Sequence, residues 1–161
     1  MTSYITPVTT SADSGALFSC VVSNVAGSVT SANAMLTVQR DYRRQDSLAL
    51  VAFYNSTGGP NWINKSNWLT TQPIDTWYGV FMNGNRVNEI AIIVENNLNG
   101  VLPSEIGNLT NLWNLNITGQ KLLQGQIPKE IGNLTNLEHL YLMNCSITGK
   151  IPRSHFIIST L

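Results

Sequence analysis

Apolar positions in the second half of the chain recur in a fixed order at a long period. The segment from Gly100 reads Gly-Val-Leu-Pro-Ser-Glu-Ile-Gly-Asn-Leu-Thr-Asn-Leu, and the segment from Gly125 reads Gly-Gln-Ile-Pro-Lys-Glu-Ile-Gly-Asn-Leu-Thr-Asn-Leu. A third copy opens at Gly149, so the glycines are 25 and then 24 residues apart. A period of this length predicts a stack of similar units, each of which buries its apolar edge against its neighbours.

Each copy also contains the short pattern of a strand. The order apolar-x-x-apolar-x-apolar begins at Val87, Leu112 and Leu137. Because successive residues of a strand face opposite sides, this pattern predicts strands that stack in one parallel sheet. The predicted strands span residues 88–93, 113–118 and 138–143. Leu109 and Leu134, which occupy one position of the repeat, are expected to be buried.

Between residues 40 and 86 the pattern becomes that of a helix and a hairpin. Apolar residues from Asp46 to Tyr54 recur at helical spacing after an Asp or Ser that we expect to cap the helix. The run Thr57-Gly-Gly-Pro60 predicts the helix end. Asn83-Gly84-Asn85 predicts the turn of a β-hairpin.

Three tryptophans lie at irregular spacing in this middle region. Trp62, Trp68 and Trp77 are expected to cover the first repeat, whose core would otherwise be exposed. Exposed tryptophans could instead form a carbohydrate platform, so both interpretations stay open at this point.

Residues 1–39 carry the alternating Thr, Ser and Val of strands and turns. Residues 18–23 and 34–38 are predicted to form one hairpin, with a turn at 24–27.

The repeat resembles plant-type leucine-rich repeats. Leu137-x-x-Leu-x-Leu-x-x-Cys-x-Ile147 fits the pattern L-x-x-L-x-L-x-x-N/C-x-L, and the Gly-x-Ile/Leu-Pro step resembles the subclass with a second short strand and a one-turn helix. The resemblance implies a ladder of asparagines, one in each copy. One extra residue in the earlier copies leaves Asn96 or Asn97 for the first ladder position, and Gln120 or Lys121 for the second.

Two further segments resemble known modules. The stretch from Tyr54 to Val80, with Thr-Gly-Gly-Pro-Asn-Trp, Asn-Trp-Leu and Trp-Tyr-Gly-Val, resembles the N-terminal cap of plant-type leucine-rich repeat proteins. Residues 4–39, with Asp13-Ser-Gly, Cys20 and Asn24-Val-Ala-Gly, resemble the last two strands of an immunoglobulin-like domain. Phe18 stands where the tyrosine of the corner motif sits in that family.

These patterns together predict an α/β repeat fold. We expect a leucine-rich repeat solenoid with a parallel sheet on its concave face, an N-terminal cap of helix and aromatic residues, and a small all-β immunoglobulin-like fragment. The predicted domains are 1–39 for the immunoglobulin-like part, 40–86 for linker and cap, and 87–161 for the repeats. The repeat pattern decays after Pro152 and the sandwich is incomplete, so we expect a chain truncated at both ends.

Composition narrows the classes of partner. Charged residues make up 11% of the chain, and nine Lys and Arg balance nine Asp and Glu. The balanced charge provides no basic surface, so the sequence does not predict binding to nucleic acid. No apolar run approaches the ~20 residues that span a bilayer, so no membrane segment is predicted in this chain.

Localisation rests on two opposing signals. Met1 is followed by Thr-Ser-Tyr, so no signal peptide is predicted in this chain. The resemblances and the N-x-Ser/Thr sequons favour an extracellular or cell-surface protein, in which the sequons are possible N-glycosylation sites. These sequons lie at Asn55, Asn64, Asn108, Asn116, Asn133 and Asn144.

No residue constellation predicts catalysis. The histidines, His139 and His155, lie in repeat positions without a nucleophile and an orienting group, and Glu105 and Glu130 are separated by one repeat. No metal or phosphate-binding spacing is present, and Cys20 and Cys145 are expected to be buried thiols. The chain is predicted to be no enzyme and to need no cofactor.

The predicted sheet instead offers a binding surface. Side chains that alternate with the buried leucines face outward and stack from copy to copy. This concave face is predicted to bind a protein or carbohydrate partner through Glu89, Ile93, Trp113, Asn114, Asn116, Thr118, His139, Tyr141 and Met143, with Ala91 in the same rows.

The predicted function is that of a non-catalytic extracellular recognition or adhesion module. The alternative is the ectodomain of a receptor-like kinase, for which the reading frame would continue into a membrane span and His-Arg-Asp and Asp-Phe-Gly motifs.

Overall fold

The computed structural model describes residues 13–37 and 42–150. The chain divides into two compact units, Met1–Asp41 and Tyr42–Leu161. The start of the immunoglobulin-like region, residues 38–41 and the degraded copy at 151–161, with His155, lie outside the described residues.

The described part of the first unit, residues 13–37, contains two short antiparallel ladders. The strands are β1 (Leu17–Phe18), β2 (Val21–Asn24), β3 (Gly27–Thr30) and β4 (Ala34–Met35). β2 pairs with β3 and β1 pairs with β4. The turn lies within the predicted residues 24–27, but the strand that follows it is β3, which pairs with β2. Residues 34–35 pair with β1 instead, so the predicted pairing of 18–23 with 34–38 holds only next to Phe18 and Ala34. The immunoglobulin-like resemblance stays a prediction.

Side chains of the first unit are largely exposed over its described residues. Val22 is 68% exposed and Val29 is 75% exposed. Cys20 is exposed as well, so the prediction that its thiol is buried is wrong. A two-stranded ribbon covers neither of its own faces, and burial of Cys20 would need a second layer packed on it.

The described part of the second unit, residues 42–150, contains one α-helix and two sheets. The elements are α1 (Tyr42–Ser56), β5 (Val80–Asn83), β6 (Arg86–Ile92), β7 (Gly100–Val101), β8 (Asn114–Ile117), β9 (Leu123–Gln126), β10 (His139–Tyr141) and β11 (Ser146–Thr148). Short 3₁₀ turns lie at Gly59–Asn61, Ile74–Thr76, Ser104–Asn108 and Lys129–Asn133.

The larger sheet has the strand order β10-β8-β6-β5. β6, β8 and β10 are parallel and in register, with Ile90 beside Leu115 and Leu115 beside Leu140. This confirms the predicted parallel sheet. β5 pairs antiparallel with β6 through the predicted hairpin turn and forms the outer edge.

Each repeat continues through a second strand and a 3₁₀ turn. β7, β9 and β11 form a parallel three-stranded sheet, as the resemblance implied. Leu109 and Leu134 follow the 3₁₀ turns and are fully buried, as predicted. An added Cβ at Gly107 would overlap the backbone oxygen of Glu130, so only glycine allows the two 3₁₀ turns to approach this closely.

Polar side chains inside the stack satisfy the backbone of the loops. Gln120 is 1% exposed; its Nε2 donates to the carbonyls of Val94 and Thr118, and its Oε1 accepts from the amide of Asn96. The side chain of Asn96 accepts from and donates to the backbone of Asn64. Of the open alternatives for the ladder, Asn96 and Gln120 are therefore the residues that serve.

The helix and the tryptophans form an aromatic cap over the first repeat. Trp62, Trp68 and Trp77 are 3%, 4% and 6% exposed, which confirms the predicted cover. They pack in one cluster with Phe53 and Tyr54, and the Trp62 and Trp68 ring centroids lie 5.0 Å apart. The alternative of an exposed carbohydrate platform at these tryptophans is wrong, because their ring faces are buried.

Asp46 joins the cap helix to the first strand of the larger sheet. Its two carboxylate oxygens accept from Nε and Nη2 of Arg86, each at 3.0 Å, and Oδ2 also accepts from the amide of Val87 at 2.8 Å. The helix begins at Tyr42, so Asp46 lies inside it and is fully buried. The prediction that Asp46 or the adjacent Ser47 caps the helix is wrong, since this carboxylate faces the sheet.

We predict that Asp46→Ala lowers the free energy of unfolding by about 3–5 kcal/mol, because it leaves the Arg86 charge without its carboxylate partner and the Val87 amide without its acceptor. Urea unfolding of the full chain, followed by far-ultraviolet circular dichroism, measures the loss. Glu105→Ala is the control, since the exposed Glu105 side chain predicts a change within about 0.5 kcal/mol. Equal stability of the two variants would contradict the role assigned to Asp46.

Candidate recognition surface

The larger sheet buries one face against the core and leaves the other uncovered among the described residues. On β8, Leu115 and Ile117 are fully buried, whereas Asn114 and Asn116 between them are partly exposed. Strand register sets the outward residues of neighbouring strands side by side. We call this surface the open face, formed by Phe81, Glu89, Ala91, Ile93, Trp113, Asn114, Asn116, Thr118, His139, Tyr141 and Met143.

The predicted binding residues thus lie together on one surface, while their role in binding stays a prediction. Phe81 was missed because it belongs to the hairpin strand β5 and not to a repeat. Its register partner is Glu89, and its side chain is 54% exposed. The alternation of β5 around the Asn-Gly turn is the signal that could have identified it.

One row of the open face crosses all four strands. Phe81 lies beside Glu89, Glu89 beside Asn114, and Asn114 beside His139. Nδ2 of Asn114 donates to Oε1 of Glu89 at 2.8 Å. This bond fixes the orientation of the Asn114 amide, because the reverse orientation would set two oxygens against each other.

The Oδ1 atom of Asn114 is buried and has no hydrogen-bond partner within the described structure. An unsatisfied buried acceptor destabilises a folded protein by about 1–3 kcal/mol, and such an atom in a native fold calls for an explanation. Glu89 also has no ion-pair partner among the described residues. Within the described residues, the row therefore carries one buried acceptor without a donor, Asn114 Oδ1, and one carboxylate without a cation, Glu89.

Aromatic rings adjoin these acceptors. The Trp113 ring meets His139 edge-on, with centroids 4.8 Å apart, and His139 stacks on Tyr141 at 5.9 Å. The Tyr141 hydroxyl lies 3.4 Å from Nδ1 of His139. Trp113 is 37% exposed, unlike the three tryptophans of the cap. The rings form a continuous aromatic wall on β8 and β10.

The remainder of the open face is apolar or uncharged. The Thr118 hydroxyl donates to Oδ1 of Asn116 at 2.7 Å, which places both side chains on the same side. Ile93 is 60% exposed and Met143 is 41% exposed beyond the strand ends. Ala91 lies beside Asn116 in the central row.

The sequons differ in their surroundings. Asn55, Asn108, Asn133 and Asn144 are exposed, whereas Asn64 and Asn116 are partly buried. Asn116 lies in the middle of the open face. Asn64 accepts hydrogen bonds from Ser66 through its side chain, and its backbone pairs with Asn96.

Groups with possible chemistry do not converge elsewhere in the described residues. Glu105 and Glu130 lie in successive 3₁₀ turns away from the open face, and no group of three His, Cys, Asp or Glu side chains in these ranges is placed to hold a metal ion. Cys145 is partly buried rather than fully buried, and its thiol donates to the Ile117 carbonyl at 3.1 Å. Burial raises the pKa of this thiol, which disfavours the reactive thiolate. Within residues 13–37 and 42–150, no helix has the length and apolarity to cross a membrane.

Comparisons with known proteins agree with this geometry. Residues 136–155 match the family model described as Leucine Rich Repeat. No curated protein matches the chain. The structure is similar to that of a plant ice-binding protein, with 27% identity and a TM-score of 0.61 over 68% of this chain and 35% of that one.

Two further solved structures share the fold. The PEPR1–AtPEP1 structure is 22% identical, with a TM-score of 0.59 over 73% of this chain and 18% of that chain. The BIR3–SERK2 complex from Arabidopsis thaliana is 26% identical, with a TM-score of 0.52 over 66% and 60%. The chain spans less than two thirds of each of these three structures. Sequence match and fold together identify a leucine-rich repeat in this chain, within a leucine-rich-repeat-like α/β fold that contains a parallel sheet.

Proposed function

We propose that this chain is a non-catalytic extracellular recognition module that binds a protein partner through the open face. The observation that carries the proposal is the row in which the Glu89 carboxylate, which has no cation beside it among the described residues, lies next to Asn114 and the aromatic wall. Protein interfaces pair such a charge with an opposite charge of the partner.

The composition of the open face supports a protein partner. Trp, Tyr, Phe and Met are enriched in the cores of protein interfaces, and all four occur here as Trp113, Tyr141, Phe81 and Met143. Burial of the cap tryptophans removes the carbohydrate platform that the sequence left open. The similarity to the BIR3–SERK2 complex, a complex of two proteins, points in the same direction.

We predict that Asn116→Arg weakens binding of a protein partner at least about tenfold, because a long charged side chain at the centre of the open face blocks a packed interface. The measurement is a screen of secreted proteins and peptides against the full chain by biolayer interferometry, followed by affinities for each variant. Asn108→Arg is the matched control, since it makes the same change at an exposed asparagine away from the open face. Like Asn116→Arg, it removes a sequon. Partners that are lost with Asn108→Arg and retained with Asn116→Arg would contradict the proposal.

An extracellular location accords with the exposed sequons. Asn108 and Asn133 project from the 3₁₀ turns, away from the open face. A glycan at Asn116 would cover the open face, so binding through this surface requires an unmodified Asn116.

We predict that the chain, secreted from a eukaryotic host, carries glycans at Asn108 and Asn133 and none at Asn116. Peptide mapping after enzymatic deglycosylation in ¹⁸O-labelled water identifies the modified asparagines, because each is converted to an aspartate that retains the ¹⁸O. Asn108→Gln should reduce the intact mass by one glycan, whereas Asn116→Gln should leave the glycan mass unchanged. A glycan found at Asn116 would count against the open face as a binding surface.

Ice binding is a second candidate function, supported by the similarity to the plant ice-binding protein and by the low charge of the chain. The surface best suited to it is the smaller sheet. Gln124 lies beside Ser146, and Gln126 beside Thr148, in exposed parallel register. Neighbouring strands of a sheet lie about 4.8 Å apart, so the exposed side chains of these strands form rows with that regular spacing. Uncharged polar groups at a regular spacing can order a layer of water.

If this candidate is correct, the chain shows thermal hysteresis and inhibits ice recrystallisation, and Gln126→Lys abolishes both because a charge disturbs the ordered row. Nanolitre osmometry and a recrystallisation assay provide the measurement. Asn116→Arg, on the other sheet, is expected to leave both activities unchanged. Absence of hysteresis in the unmutated chain would exclude ice binding and leave the recognition proposal untouched.

A further inference from the structure

The charge of the open face selects the chemistry of its partner. Its described residues include one carboxylate, Glu89, and no lysine or arginine. Glu89 Oε1 accepts from Asn114, and the carboxylate has no cation beside it among the described residues. A ligand that pairs with this carboxylate brings hydrogen-bond donors and positive charge.

The aromatic wall restricts the ligand further. Asn114 lies between Glu89 and His139 in the row, and Trp113 contacts the His139 ring. A group placed over Asn114 therefore has a carboxylate on one side and aromatic rings on the other. A planar cation such as guanidinium stacks on an aromatic ring, and a compact cation such as ammonium is also attracted to the ring face.

We propose that the open face receives an arginine side chain of the partner protein, with its guanidinium paired to Glu89 and stacked on Trp113. This inference rests on the proposed recognition function. Guanidinium offers five donors in a planar fork, which suits bidentate pairing with a carboxylate. A lysine ammonium lacks the flat surface that Trp113 would cover. An anionic ligand would be repelled by the Glu89 carboxylate.

Trp113 and Asn114 supply direct reporters for a test. The full ¹⁵N-labelled chain is titrated with Nα-acetyl-arginine amide, and the indole N–H of Trp113 and the side-chain amide of Asn114 are followed by NMR. Trp113→Phe assigns the indole signal. Nα-acetyl-citrulline amide is the matched probe, since it keeps the shape of arginine and lacks its charge. Nα-acetyl-lysine amide tests the preference for a planar cation.

The expected result is a saturable shift of both reporters with the arginine probe, and binding at least about fivefold weaker with the citrulline and lysine probes. Glu89→Gln keeps an acceptor for Asn114 Nδ2 and removes the charge, so it should weaken the arginine probe about fivefold or more. Glu105→Gln makes the same change of charge on an exposed 3₁₀ turn and should leave the affinity unchanged. Thermal melts of both variants verify that each is folded.

An equal response to arginine and citrulline, no response to arginine, or an unchanged affinity in Glu89→Gln would overturn the assignment. An equal response to lysine would overturn the preference for arginine. A partner that is lost with Asn116→Arg but binds Glu89→Gln with unchanged affinity would overturn the arginine site and leave recognition by the open face intact. If every partner binds both Asn116→Arg and Glu89→Gln with unchanged affinity, the recognition proposal itself is overturned.

Discussion

The repeat stack depends on the buried contact between Asp46 and Arg86. Arg86 begins the first strand of the larger sheet, and Asp46 lies inside the cap helix, so their paired hydrogen bonds set the helix against the start of the sheet. The guanidinium is further held by Thr110 and lies 4.5 Å from the centroid of the Tyr42 ring. A fully buried carboxylate is tolerated only when such partners surround it. The first strand is thereby fixed, and the following strands pair in register with it.

Polar side chains inside the stack form hydrogen bonds to buried backbone groups of the loops between the two sheets. The loop from β6 to β7 carries backbone groups that water does not reach, and the Gln120 side chain bonds to several of them at once. Asn96 repeats this arrangement toward the cap, through Asn64. The longer glutamine side chain takes the ladder position in a repeat that carries one extra residue. These two side chains satisfy the backbone of the loops, whereas the buried Oδ1 atom of Asn114 keeps no partner within the described residues.

The open face combines rigidity with unused bonding capacity. Its side chains stand on strands whose opposite residues, such as Ile90 and Leu115, are fully buried, so their positions are fixed by the core. Such preorganisation reduces the entropy that a partner loses when it orders against the surface. Because the positions outside the core are free of packing constraints, the same fold can carry different partner chemistry on the same strands.

The sequence by itself determined the repeats, the parallel register of their strands and the hairpin at Asn83-Gly84-Asn85. These follow from local periodicity, since a period near 25 residues and alternation within each strand leave one consistent way to bury the leucines. The tertiary structure alone decided that Asp46 pairs with Arg86 instead of capping its helix, that Cys20 is exposed, and that Phe81 joins the open face. It also decided that Asn114 keeps one acceptor unsatisfied. Each of these depends on which distant residue lies opposite, and local spacing does not encode that partner.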